Sequence, residues 1–414
     1  MRPNDSAQTS DTAAATTVAV PEPSDLAVRY HRSGNALWAG ATALDLLLPA
    51  ALLFTGMSAR LGGAAARAAR GRWFPTVALY GAAYVVIQAV VFLPLAWYVG
   101  YVRQHAYGLS TETGAEWLGD WTKAVALSIV SAALMLWIPY ALLRASPHRW
   151  WLWTGLLTAP LAALAMIVVP LYVAPLFDEY GRLRDRALEE RIHRLAARAG
   201  IPDSRIYEVR KSDETRQVNA YVTGFGRTKR IVLWDTLVDR MGPDEVTFVV
   251  GHEIGHFVLR HTLTVILGAT LLVTLSLYVV HRAAGWLIRR FRPRLGFDRL
   301  DDVASLPLLS LVGGAVLLAA SPLALAVSRR QEHEADRFGL EITRDNTAAA
   351  QAFVRLQVDN LSVPRTGFLF RLWRGSHPDL ADRIGFANRY RPWMRGEALR
   401  YEDRFRAAEP PPDP

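Results

Sequence analysis

The chain has 414 residues, 51% of them hydrophobic, and 47 Lys and Arg outnumber 38 Asp and Glu to give a net charge of +9. A basic, apolar chain of this size has room for two or more domains and suits a surface of anionic lipid headgroups; no nucleic-acid motif is present, so nucleic acid is not the expected partner. Cysteine is absent, which excludes disulfides, thiol catalysis and cysteine-bound zinc, so any metal must be held by His, Asp or Glu.

Residues 1–30 are rich in Ala, Thr, Ser, Pro and Asp without periodicity, and a disordered tail is expected through residue 33. This stretch lacks the basic start and short apolar core of a cleavable signal peptide. Six apolar segments follow, near 36–57, 75–101, 123–144, 150–174, 262–281 and 304–327. Each approaches or exceeds the ~20 residues that cross a bilayer as a helix. Trp38, Trp73, Trp97, Trp137, Trp150, Trp151 and Trp153 lie mostly near segment ends, as interfacial aromatics do. Asp45 is a carboxylate inside the first segment, open to either a functional or a helix-packing role.

Residues 176–260 read as soluble. Leu183, Leu188, Ile192 and Leu195 recur at helical spacing, ended by Gly200. Arg205–Val209 and Arg230–Trp234 read as strands, as does Asn219-Ala220-Tyr221-Val222. Gly242-Pro243-Asp244-Glu245 opens a helix, with Pro in the first turn and acids at the positive end of the dipole. That helix is expected to run into the fifth span. Beyond the sixth span, residues 328–400 read as helical, soluble and Arg-rich, and Glu409–Pro414 as a disordered tail.

The helix after Pro243 carries His252-Glu253-Ile254-Gly255-His256. Histidines four apart share one helix face and can grip one Zn²⁺, with Glu253 beside the open coordination position, placed to take a proton from water. A third protein ligand is required. It is not a downstream His of the extended motif, because Leu259 and Thr262 stand where Gly and His belong. Ser328-Arg329-Arg330-Gln331-Glu332-His333-Glu334-Ala335-Asp336 offers two carboxylates four apart, Glu332 and Asp336. One can bind the metal while the other steadies a ligand histidine; Glu332 is the preferred ligand. Glu334 points elsewhere on that helix.

Together, Ala174-Pro175-Leu176-Phe177-Asp178, Asn219-Ala220-Tyr221, Lys229–Leu233 with Asp235-Thr236-Leu237, His252–His256, Ser328-Arg329-Arg330 with Glu332, Ala335 and Asp336, and Ser376-His377-Pro378 resemble the CAAX prenyl endoprotease family. The likeness runs from about residue 35 to 390. It implies a multi-pass zinc metalloprotease, with one zinc held by His252, His256 and Glu332. Glu253 would be general base and then proton donor. Asp336 would support the ligand shell, His377 would face the developing oxyanion, and Arg383 would position groups nearby. Asn219, Ala220 and Tyr221 would form an edge strand onto which substrate peptide adds. Read without the resemblance, Asn219-Ala220-Tyr221 is an ordinary strand and His377 a loop histidine before a proline. The family also implies a water-filled chamber between its membrane helices. Eukaryotic members carry a further span, at the N-terminal end.

The expected fold is therefore mainly α: a multi-span helical membrane protein with a small α/β zinc-peptidase region inserted between spans four and five and a helical C-terminal region. The domains are a tail (1–33), a four-helix membrane half (34–175), a peptidase region with two further spans (176–407) and a second tail (408–414). The expected function is hydrolysis of peptide bonds in membrane-associated or lipid-modified polypeptides. The alternatives are a site-two-type protease, with its motif inside a span and a later Asp as third ligand, and a non-catalytic membrane chaperone with a structural zinc. A cell-membrane location is expected. Arg60, Arg67, Arg70, Arg72, Arg144, Arg149, Arg282, Arg289, Arg290, Arg292, Arg294 and Arg299 fall in loops opposite the catalytic region, and the positive-inside rule would place that region outside. The family resemblance places it in the cytoplasm, and this placement is adopted.

Overall fold

The structure, a computed structural model, describes residues 17–224 and 229–406. The N-terminal half contains α1 (Asp25–Phe54), α2 (Met57–Ala68) and α3 (Trp73–Trp97), which continues through a wide turn into α4 (Arg103–Ala106). Next come α5 (Gly114–Met135), α6 (Trp137–Ala145) and α7 (Trp150–Val168). Among the described residues, six helical stretches are long and apolar enough to cross a membrane: Asp25–Phe54, Trp73–Ala106, Gly114–Ala145, Trp150–Leu176, His261–Leu295 and Val303–Thr343. Each contains one of the six apolar segments or nearly all of it. Val90, Leu134, Leu164, Leu271 and Leu323 stand largely exposed on them. A run of outward leucines and valines with no protein neighbour is the surface a bilayer solvates.

The expected N-terminal tail overshoots. Its residues 1–16 lie outside the described residues, but α1 starts at Asp25, well before residue 33. Ser24 caps it by accepting from the Ala27 N–H at 3.1 Å, and Val18 is tied down through its backbone to Asn388. In the polar run Arg29-Tyr30-His31-Arg32, the two arginines are exposed while Tyr30 and His31 turn toward the protein. The expected tail at 408–414 lies outside the described residues.

The soluble part contains β1 (Tyr180–Gly181), α8 (Arg186–Arg198), β2 (Arg205–Val209), β3 (Ala220–Thr223), β4 (Arg230–Trp234), α9 (Asp235–Arg240) and α10 (Pro243–Val258). The strands order β1-β2-β4-β3, with β2 parallel to β4 and both outer pairings antiparallel, so β3 is an edge. Ile192, Ile231, Leu233, Leu237, Phe248, Phe338 and Phe353 fill the core between sheet and helices. The chain then runs through α11 (His261–Leu295), α12 (Leu306–Thr343), α13 (Asn346–Asp359), α14 (Phe368–Trp373) and α15 (Leu380–Arg389).

Two junctions decide where the site forms. α10 does not run straight into the fifth span: Arg260 adopts φ 57, and α11 restarts at His261. α12 is continuous from the sixth span through Glu332 and Asp336 to Thr343, so one helix both crosses the membrane and carries the acidic residues. It lies tightly on α10. A Cβ on Gly339 would come within 3.1 Å of the His252 backbone N, and one on Gly255 within 3.1 Å of Phe338. Small residues on both helices thus permit the approach that the site requires.

Candidate metal centre and its cleft

α10 presents His252 and His256 on one face, and α12 brings Glu332 against them. The two Nε2 atoms are 3.2 Å apart, and each lies 3.4 Å from an oxygen of Glu332. One ligand atom from each of the three residues lies within 4.8 Å of the others. Glu332 Oε2 is buried without a well-directed hydrogen-bond donor, although His377 Nδ1 lies 2.7 Å away. Two imidazole nitrogens aimed at each other beside an orphaned carboxylate oxygen make a poor hydrogen-bond cluster. They make a good cation site, since donor atoms of two imidazoles and one carboxylate converge within bonding reach of one ion. The donor set, two imidazoles and one carboxylate, suits zinc and leaves the fourth position open.

Glu253 Oε1 lies 4.0 Å from His252 Nε2 and faces the cleft, and burial pushes its carboxyl pKa up. A base poised above the usual carboxylate range is better matched to proton transfer near neutrality. Burial alone would lower the His252 imidazolium, but Asp336 and Glu332 outweigh it and push its pKa up to about 10. A metal entering here must therefore displace a proton.

Behind the ligands stands a supporting layer. Asp336, fully buried, accepts from His252 Nδ1 at 2.9 Å and is clamped by Arg383 through Nη2 at 2.6 Å and Nε at 2.9 Å. Arg383 itself lies over the Phe353 ring at 4.3 Å, and its charge is favoured by Asp336 against the cost of burial. Asp336 thus ties the inner nitrogen of His252 to Arg383, which also reaches the cavity wall.

Sequence reasoning missed the equivalent support for His256. His261, buried just past the Arg260 break, sets Nδ1 3.0 Å from His256 Nδ1 and Nε2 3.5 Å from Glu334 Oε2. Glu334 points away from the three donor residues, as the sequence implied, yet it faces His261. His252 thus leans directly on a carboxylate, whereas His256 has a second imidazole beside it whose Nε2 faces Glu334 without a hydrogen bond. The only signals were a histidine five residues after the motif and a Glu two residues after Glu332.

A cavity of roughly 600 Å³ opens from these residues, lined by His252, Glu253, Glu332 and His377 and, on the β3 side, by Asn219 and Ala220. His377 is more than half exposed at its rim. Tyr221 does not line it; its hydroxyl instead lies 3.2 Å from that of Tyr180. Of the expected substrate-binding trio, the cavity takes Asn219 and Ala220, and only the backbone of Tyr221 remains available at the sheet edge.

A family profile described as "Peptidase family M48" matches residues 182–391, and one described as "CAAX prenyl protease N-terminal, five membrane helices" matches residues 21–179. A Bacillus subtilis protein called an uncharacterized metalloprotease, YhfN, is 35% identical over 372 residues, 89% of this chain and 86% of its own. CAAX prenyl protease 1 of Saccharomyces cerevisiae is 28% identical over 323 residues, covering 72% of this chain and 69% of that one. The crystal structure of S. mikatae Ste24p superposes with a TM-score of 0.76 at 23% identity over 87% of each chain, a likeness of fold.

Proposed function

Because the chain belongs to peptidase family M48, a metalloprotease integral to a membrane, we propose that it is a zinc endopeptidase acting on membrane-associated or lipid-modified polypeptides. The observation that carries this reading is the convergence of His252, His256 and Glu332 beside an unengaged Glu253 in one cleft.

In this reading His252, His256 and Glu332 hold one zinc ion. When bound, zinc supplies Lewis acidity, polarising the scissile carbonyl and making water a better acid. Substrate backbone pairs with the free edge of β3 at Asn219–Tyr221, which sets the scissile bond across the cleft. Glu253 takes the proton of the attacking water and later delivers it to the leaving amine. His377, at the rim, donates toward the carbonyl oxygen as its charge grows. Asp336 and Arg383 hold His252 in the tautomer whose Nε2 lone pair points into the site. His261, whose Nδ1 lies 3.0 Å from that of His256, steadies His256 from behind. Lipid-modified substrates follow from the relatives that bear the name CAAX prenyl protease 1.

The site-two arrangement is not favoured, because α10, at 16 residues, is not among the helices long and apolar enough to span the membrane. A non-catalytic chaperone would have no use for Glu253 beside an open coordination position. The deciding experiment is cleavage of a quenched-fluorescence peptide by the purified chain. Chelation should abolish it and stoichiometric zinc restore it; cleavage indifferent to chelator would remove the proposal.

Two further outcomes follow. His261→Ala should weaken zinc binding roughly 10–100-fold, the usual cost of losing a ligand's outer partner. A chelator-competition titration reads this directly, and unchanged affinity would show that His261 only fills space. We also place the catalytic region on the cytoplasmic face of the cell membrane, with the family and against the loop arginines. A fluorescent reporter that is active only in the cytoplasm, fused after Pro414, should be active; a dark reporter with an active exported counterpart would invert the topology.

A further inference from the structure

The cavity wall contains two cations that the peptidase reading leaves unused. Arg103, at the start of α4, is only 6% exposed; its Nη2 donates to the Tyr30 carbonyl at 2.6 Å, its Nε and Nη2 each donate to Ser33 Oγ at 3.3 Å, leaving Nη1 free among the described residues, and its guanidinium lies 3.7 Å over the Tyr30 ring. Arg374, just past α14, hydrogen-bonds Asn35 and lies over the Phe370 ring at 4.9 Å. Both guanidinium groups end beside Gly34: a Cβ built there would lie 3.2 Å from Arg103 Nη2 and 3.8 Å from Arg374 Nη2.

Among the described residues neither arginine forms a salt bridge. Asp379, an acid of the same cavity wall, is already engaged, accepting from Thr366 N at 3.1 Å and Oγ1 at 2.6 Å and facing Arg371 at 3.6 Å. Burial, and then the like charge of Arg103, holds the Arg374 guanidinium below its ordinary range. Two half-desolvated cations pressed together without a counter-charge are costly unless an anion arrives between them. A guanidinium fork matches a carboxylate in two parallel hydrogen bonds. Both arginines line the cavity that also holds Glu253 and the edge of β3, which places an anion bound between them on the peptide's path to the metal site.

We propose that Arg103 and Arg374 form a subsite for a carboxylate of the peptide substrate, anchoring it in the cleft that leads to the metal site. This rests on the peptidase reading above and adds a selectivity: peptides bearing an acidic group, at the C-terminus or on a side chain, are preferred.

The test uses the zinc-loaded full chain carrying Glu253→Gln, so that peptide is bound without being cut, and a fluorescein-labelled nonapeptide of uncharged residues. The peptide is prepared as the C-terminal acid, as the C-terminal amide, and as the amide with one internal Glu. One acidic form should bind about ten-fold or more tighter than the neutral amide, in line with charge-assisted hydrogen bonds. Which acidic form gains identifies the source of the carboxylate. Adding Arg374→Gln should erase the difference while leaving amide binding unchanged, and Arg374→Lys should retain part of it. A loss of folding would weaken all three peptides alike.

Equal binding of all three, with hydrolysis by the unmutated chain intact, overturns this subsite and leaves the peptidase reading standing. So does an advantage that survives both Arg374→Gln and Arg103→Gln, or equal binding joined to displacement by phosphatidylglycerol micelles, which would assign the pair to lipid. Binding of no peptide at all overturns both readings.

Discussion

Glu253→Gln should lower peptide cleavage on the order of 10²–10⁴-fold while leaving a full equivalent of zinc in place. The change is nearly isosteric and removes only the ability to take a proton. Among the described residues the Glu253 side chain has one ion-pair contact, His252 Nε2 at 4.0 Å, and it faces the cavity. The three proposed ligands do not depend on it, since Glu332 bridges the two imidazoles from the other side. Kinetics and metal content therefore separate. A variant that loses zinc with activity would make Glu253 a ligand, and one that keeps activity would require another base.

Asp336→Ala should be the most destabilising single change at the site. It strips the partner from Arg383, which is 8% exposed, and from the inner nitrogen of His252. Removing one half of a buried ion pair typically costs about 3–5 kcal/mol, because the remaining charge stays desolvated. The melting temperature of the detergent-solubilised protein should fall by several degrees, and zinc affinity should fall with it as His252 loses its orientation. Asp336→Asn keeps the shape and should recover part of the stability but little of the affinity. An Asp336→Ala protein as stable as the parent would show that Arg383 finds another partner.

What could be read from the chain and what could not has a physical division. The six spans were legible because crossing a bilayer demands a long, nearly uncharged run, and no soluble helix imitates that. The strands at Arg205–Val209 and Arg230–Trp234 were legible from short apolar runs ending in polar turns. His252, Glu253 and His256 were legible because their geometry is local: one helix turn fixes it. The start of α1 was obscured because its first two turns carry Asp25, Arg29, His31 and Arg32, which compositionally extend the tail before them. The break at Arg260 left no trace because a non-glycine residue takes the left-handed conformation there. The continuity of α12 was hidden by the charges at Arg329 and Arg330, which mark where the helix leaves the membrane and not where it stops. Glu334, Arg103 and Arg374 were illegible because the groups they face are brought to them by tertiary packing across tens to hundreds of residues, whereas His261 lies only five residues past His256 but beyond a helix break that the spacing does not reveal.

The most direct test of the account is a count of zinc by atomic emission on the purified chain, beside Glu332→Ala and His256→Ala. The account predicts one equivalent in the parent and almost none in either variant, with both still folded. A parent that cannot be loaded with zinc, or a Glu332→Ala protein that holds a full equivalent as tightly as the parent, would contradict it.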